Sequence, residues 1–212
     1  MHEFREWPKT KRLFRDIVVT EKIDGTNSAV HITAVPHIPA LGDFPPGAYS
    51  LVVDGIRYVV SAQSRRRIIT PGKTTDNYGF AGWVYDNAEA LVRLLGEGLH
   101  FGEWWGRGIQ RGYDLAGRAF SLFNTERYAN VHESVGEFGG VPVTVGPVPV
   151  LYDGVFSEER ITGELEVLRK YGSVAAPGFP NPEGICVYHS QSRNVYKVTL
   201  DNNDAGKWEA AA

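Results

Sequence analysis

The chain has 212 residues, 42% of them hydrophobic and 22% charged, with a net charge of −3, which describes an ordinary soluble globular chain and excludes a disordered or membrane one. No apolar run approaches the ~20 residues of a membrane span, and the charged amino terminus MHEFREWPKTKRLFRD lacks the apolar core of a signal peptide, so the expected address is the cytoplasm. A lone cysteine, Cys186, excludes an internal disulfide and a cysteine-rich zinc site, and its neighbours Ile185 and Val187 predict a buried strand thiol.

The first segment sets Lys9, Lys11, Arg12 and Arg15 around Leu13 and Phe14, and it reads equally as a basic arm or as a solvated lead-in to the first strand. Two apolar β-branched runs follow, Ile17-Val18-Val19 and Ala29-Val30-His31-Ile32, on either side of Glu21-Lys22-Ile23-Asp24-Gly25-Thr26-Asn27. Asp24-Gly25 has the composition of a two-residue hairpin turn, which predicts that these runs pair with each other. After a Pro/Gly-rich loop over 36–47, the runs 49–53 and 56–62 flank Asp54-Gly55, a second hairpin signal.

A helix is predicted over 86–95, where Asp86 and Glu89 have capping-box spacing, Ala88, Leu91, Val92 and Leu95 form one stripe, and Gly96 is the stop. A second is predicted over 157–170, with Ile161, Leu165 and Leu168 at helical spacing, Gly163 as a weak point and Gly172 as the end. Further strands are predicted over 99–104, 119–123, 148–152, 184–189 and 194–200, while 131–146 shows no usable period. Many strands, few helices and several hairpin signals make an α+β fold built on antiparallel sheet.

Chemistry concentrates where charged residues meet apolar runs. Lys22 beside Asp24 reads as a covalent nucleophile, although a lysine titrates near ~10.4 and must be held as the amine to react. Asp24 would oppose that by pairing with Lys22, so this reading requires Asp24 to face something else, such as a hydrated metal. In Ser64-Arg65-Arg66-Arg67, strand alternation would send Arg65 and Arg67 to one face, able to grip phosphates. Glu103 and Glu183 read either as strand-edge carboxylates or, with Asp24, as holders of a magnesium ion's water shell. Lys197, inside an apolar strand, is a snorkelling side chain or a phosphate ligand.

In this order the segments Lys22-Ile23-Asp24-Gly25-Thr26-Asn27, Ser64-Arg65, Phe101-Gly102-Glu103, Phe120-Ser121-Leu122-Phe123, Glu183-Gly184 and Tyr196-Lys197-Val198 resemble the motifs of the covalent nucleotidyltransferase superfamily, and within it a small ATP-dependent RNA ligase of the phage and bacterial type. The resemblance implies an adenylation domain of antiparallel sheets with flanking helices and a nucleotide cleft between the sheets. It implies that Lys22 becomes linked to AMP, and that Asp24, Glu103 and Glu183 position a metal, magnesium with manganese as the alternative. Glu21, Lys22, Asn27, Arg65, Glu103, Phe123 and Lys197 would contact ATP, with Phe123 stacking on adenine and Lys197 on the AMP phosphate. The catalytic set would be Lys22, Asp24 and Lys197. The implied partner is RNA with a 5′-phosphate and a 3′-hydroxyl end.

Two departures accompany the resemblance. The last motif often carries two lysines separated by one residue, whereas Lys197-Val198-Thr199 has one, leaving Lys207 as a substitute. Little chain follows that motif, so the expectation is a single domain over 1–212 without the carboxy-terminal accessory domain of many ligases, and a partner supplying it stays open. Other readings stay open as well: a DNA ligase, a GTP-using capping enzyme, or a non-catalytic nucleotide- or RNA-binding module. Gly106 to Gly112 has the wrong spacing for a dinucleotide fingerprint. Asp201 to Gly206 fails as a calcium loop because Ala205 and Ala212 occupy ligand positions. The histidines show no zinc-type pairing, and Trp104-Trp105 reads as core.

Overall fold

The computed structural model describes residues 2–35 and 47–201. Most of the Pro/Gly-rich loop, the calcium-like stretch after Asp201 and Lys207 lie outside the described residues. In chain order the elements are β1 (Asp16–Lys22), β2 (Thr26–Val35), β3 (Tyr49–Val53), β4 (Ile56–Ser64), β5 (Ile68–Ile69), α1 (Phe80–Asp86), α2 (Ala88–Leu95), β6 (Gly98–Gly106), β7 (Arg118–Leu122), β8 (Glu133–Phe138), β9 (Val141–Pro147), β10 (Val150–Val155), α3 (Glu158–Tyr171), β11 (Gly184–His189) and β12 (Asn194–Thr199). They group into two units, Met1–Lys22 with Pro149–Ala212, and Ile23–Val148. Among the described residues no helix is long and apolar enough to cross a membrane.

The first unit is a four-stranded sheet in the order β10-β1-β11-β12. Alternation in β1 buries Ile17, Val19 and Glu21 on one face and leaves Val18, Thr20 and Lys22 half-buried on the other. α3 covers the first face, and Ile17, Val19, Leu168, Ile185 and Val187 form the core there. The sequence specifies this helix well. The Ser157 hydroxyl accepts from the Arg160 N–H at 3.2 Å, Glu158 and Glu159 occupy the first turn, and Gly172 stops the helix at φ 84.

The second unit is an eight-stranded sheet, ordered β3-β4-β2-β6-β7-β9-β8 with β5 on β4. α1 and α2 cover one face, where Phe80, Trp83, Trp104 and Phe120 pack together and Trp83 stacks on Trp104 at 5.1 Å. All strand pairs in both units are antiparallel except β7 with β9. The Asp54-Gly55 hairpin forms as expected: Val53 faces Ile56, and both turn residues have the positive φ of a type I′ turn, 49° and 80°.

The opening hairpin does not form. β1 pairs with β10 and β11, β2 pairs with β4 and β6, and neither Asp24 nor Gly25 has a positive φ. A Cβ on Gly25 would lie 2.5 Å from the Trp104 carbonyl oxygen and 2.7 Å from Trp105 Cβ, so close packing on β6, not turn geometry, requires glycine here. The helix expected over 86–95 forms as α2, with Asn87 and not Asp86 at its N-cap, while α1 ahead of it has no counterpart among the expected elements. The two are separated at Asn87, whose side-chain amide donates to the Trp83 carbonyl at 2.8 Å. The stretch 131–146, without a period in sequence, contains the β8 and β9 hairpin. Its ladder shifts register between Ser134 and Glu137, and Gly139-Gly140 turns it with φ 62° and 79°.

His100 shows how tightly the second core closes. Its Nε2 donates to the Gly96 carbonyl at 3.0 Å and its Nδ1 accepts from the Tyr128 hydroxyl at 2.7 Å, which fixes a neutral ring. Burial lowers its pKa from 6.5 to about 4. The unfolded chain therefore takes up this proton first as the pH falls, and stability is lost between about 6.5 and about 4 by roughly 3 kcal/mol. Urea unfolding across that range should show the loss, and His100→Asn, less stable at neutral pH, should have a correspondingly flatter acid limb.

Candidate active site

In the first unit, the face of the sheet opposite α3 carries the charged groups. β1 places Lys22 at its end, opposite Gly184 of β11, and the Lys22 ammonium donates to the carboxylate of Glu183 in an ion pair. Lys197 of β12 lies opposite Cys186, which lies opposite Thr20, so Lys197 and Lys22 share this face two strands apart, about 10 Å laterally. Lys197 is exposed and Cys186 half-buried, the latter less enclosed than its apolar neighbours suggest.

Glu21 points the other way. Its carboxylate is 1% exposed and accepts from the Ser173 hydroxyl at 2.6 Å and from the N–H groups of Val174 and Ala175 at 2.8 Å each. Consecutive amides converging on one oxygen form an anion nest, which ties the loop after α3 to the strand that carries Lys22. Burial raises the Glu21 pKa above 4.5 and the hydrogen bonds lower it, burial being the larger effect. This stabilisation is complete below pH 4.5 and declines as the pH rises through the raised value, opposite in sign to His100. Glu21→Ala strands three donors and should destabilise the protein by about 2–4 kcal/mol at neutral pH, measured by urea unfolding.

In the second unit, the sheet face opposite α1 and α2 gathers the other residues. Asn27 and Glu103 are directly paired on β2 and β6, and Phe101 lies two residues from Glu103 on the same face. Phe123 follows β7, with its N–H donating to the Phe101 carbonyl at 3.0 Å, and its ring is 41% exposed, not a core side chain. Glu103 accepts from the Gly25 N–H at 3.1 Å. Arg65 departs from the strand alternation expected of it: β4 ends at Ser64, whose N–H donates to the Arg67 carbonyl at 2.8 Å, so Arg65, Arg66 and Arg67 form an exposed turn.

Asp24 has partners that the sequence did not reveal. The Arg111 Nε donates to its carboxylate at 3.1 Å, and the Asp24 N–H donates to the Tyr113 hydroxyl at 2.8 Å. Both belong to the loop after β6, in which Gln110, Tyr113 and Asp114 all hold positive φ, from 45° to 54°. Tyr113 is buried edge-on against Trp105, with ring centroids 5.0 Å apart, which anchors the loop. The available signal was the glycine-rich run 106–112, an arginine-bearing loop able to fold back sharply.

Among the described residues no three His, Cys, Asp or Glu side chains form a group able to hold a metal directly. Asp24, Glu103 and Glu183 are all-oxygen donors, and each already engages a protein donor. That chemistry fits a hard cation kept inside its own water shell, not one caged by protein ligands.

No curated protein matches the chain. Its fold is similar to that of Naegleria gruberi RNA ligase in a ligand-free variant, at 16% identity and a TM-score of 0.50, covering 87% of this chain and 49% of that one. It is similar also to a variant of the Naegleria gruberi RNA ligase with ATP and manganese, at 16% identity and a TM-score of 0.52, covering 91% of this chain and 53% of that one. The chain thus spans about half the length of these structures, and at this identity the likeness is one of fold. The RNA ligase family model matches residues 15–199, most of the chain, and the chain belongs to that family.

Proposed function

We propose that the chain is an ATP-dependent RNA ligase working through a lysyl-AMP intermediate. The observation that carries this reading is Lys22 at the end of β1, on the sheet face opposite α3 that it shares with Lys197, and paired with Glu183. Membership of the RNA ligase family and the ATP and manganese in a structure of similar fold support it.

In the first step the Lys22 ammonium gives up a proton and the resulting amine attacks the α-phosphorus of ATP; the N–P bond forms, the P–O bond to pyrophosphate breaks, and the nitrogen releases one further proton while keeping one N–H. The Glu183 pair must open for this, because the lone pair is otherwise occupied by a proton. The AMP then passes to a 5′-phosphate of RNA, breaking the N–P bond. Finally a 3′-hydroxyl attacks that 5′-phosphate and expels AMP, sealing the strand. In-line phosphoryl transfer of this kind depends mainly on positioning and charge.

Lys197 and Arg65 neutralise phosphate, Asn27 orients it, Glu103 reaches the ribose, and Phe123 supplies the ring on which adenine stacks. Asp24, Glu103 and Glu183 would hold a divalent metal, magnesium or manganese, through its water shell, and such a metal would offset phosphate charge. Glu21 serves as the anchor behind Lys22 and leaves its side chain out of the nucleotide contacts.

The test is joining of 5′-phosphorylated to 3′-hydroxyl RNA, read on a denaturing gel, with ATP or GTP and RNA or DNA strands compared. Joining with ATP and RNA is expected; no joined product under any metal would defeat the reading, and joining only with DNA would redirect it.

A further inference from the structure

The segment before β1 is tied down at its root and exposed at its tip. At the root, the His189 Nε2 donates to the Leu13 carbonyl at 2.8 Å, the Phe156 N–H to the Arg15 carbonyl at 3.0 Å, and the Arg12 N–H to the Gln191 side chain at 2.6 Å. Phe14 lies edge-on to Phe156, centroids 5.9 Å apart. Ahead of this anchor, Phe4 is 91% and Trp7 85% exposed, more than any other large apolar side chain among the described residues.

Such exposure does nothing for the fold. A ring left in water gains none of the stabilisation that burial gives, and none of the steps proposed above uses these rings. Charge on the same segment is one-sided: Arg5, Lys9, Lys11, Arg12 and Arg15 stand against Glu3 and Glu6, in a chain whose net charge is −3. Exposed aromatics interleaved with cations are the chemistry that grips a single strand of nucleic acid, rings stacking on bases while cations follow the phosphates.

We propose that residues 4–15 are a docking arm for single-stranded RNA, with Phe4 and Trp7 stacking on bases and Lys9, Lys11, Arg12 and Arg15 meeting backbone phosphates. The proposal rests on the reading of RNA as the substrate. Because the arm joins the sheet at Asp16 and Lys22 is at the other end of β1, about 20 Å away, the arm contacts nucleotides removed from the reacting end. It acts on strand binding and leaves the reaction of Lys22 with ATP untouched.

The experiment uses the full chain and a fluorescent single-stranded 5′-phosphorylated oligoribonucleotide, with binding read by anisotropy across salt concentrations. Phe4→Ala with Trp7→Ala should weaken binding by about tenfold or more. Lys9→Ala with Lys11→Ala should lower the slope of log affinity against log salt by ~0.7 for each phosphate that is no longer neutralised. AMP addition to the protein, measured in parallel, should be unchanged in both variants. Unchanged affinity and slope would overturn the arm whether or not the adduct forms, whereas RNA binding that depends on the arm in a wild-type protein forming no adduct would sustain the arm and overturn the ligase reading alone.

Discussion

Gly25→Ala should destabilise the unit Ile23–Val148 by at least about 3 kcal/mol, seen as a lower urea midpoint. The added Cβ would lie 2.5 Å from the Trp104 carbonyl oxygen, 2.7 Å from Trp105 Cβ and 3.0 Å from Glu103 Cγ. The two nearest neighbours cannot yield cheaply, since the first is strand backbone and Trp105 is buried against Tyr113. The sign of the result is decisive. At a glycine without positive φ and with open space, alanine stabilises by about 0.4–1 kcal/mol through the unfolded chain, so a gain would show that the close approach to β6 is not held in solution. Activity should fall with stability, because the Gly25 N–H also donates to Glu103.

Lys22→Ala should reduce RNA joining with ATP by more than about a thousandfold while changing stability by less than about 1 kcal/mol. The side chain is partly exposed and its loss leaves Glu183 able to reach water, so the fold has little at stake. The same variant should still seal RNA whose 5′ end already carries AMP, since that last step breaks no bond to Lys22. Loss of both reactions would mean that Lys22 serves binding more than covalent catalysis.

How far the sequence revealed this arrangement depended on the range of the interactions. Features set by neighbours in the chain were readable: the Asp54-Gly55 turn and the helix over 157–170 with its Gly172 stop, whereas Glu21, expected beside Lys22 among the ATP contacts, lies on the opposite face of β1. Asp24-Gly25 misled because the same dipeptide suits a hairpin turn and a close approach to another strand, and only β6, far along the chain, distinguishes them. The stripe of Ala88, Leu91, Val92 and Leu95 located α2, whereas α1 starts after Gly79 with no side-chain cap and so carries no capping signal to announce it. In the stretch 131–146, a bulge and a double-glycine turn interrupt the alternation by which a strand is recognised.

The candidate site divides in the same way. Residue types at motif spacing pointed to Lys22, Asp24, Glu103, Glu183 and Lys197, yet the groups that hold them did not appear as patterns. Arg111 and Tyr113 lie 87 and 89 residues from Asp24, and Ser173 lies 152 from Glu21. Such partners are chosen by the folded sheet and leave only indirect traces, such as glycines where a loop must double back.

A covalent bond between Lys22 and AMP is the step on which the proposed chemistry turns. Its most direct measurement is the intact mass of the wild-type protein after incubation with ATP and magnesium or manganese, followed by peptide mapping of the modified residue. A single added AMP is expected, located on Lys22 and absent from Lys22→Ala. An unmodified wild-type protein across both metals and a range of pH, or AMP located on another residue, would contradict it.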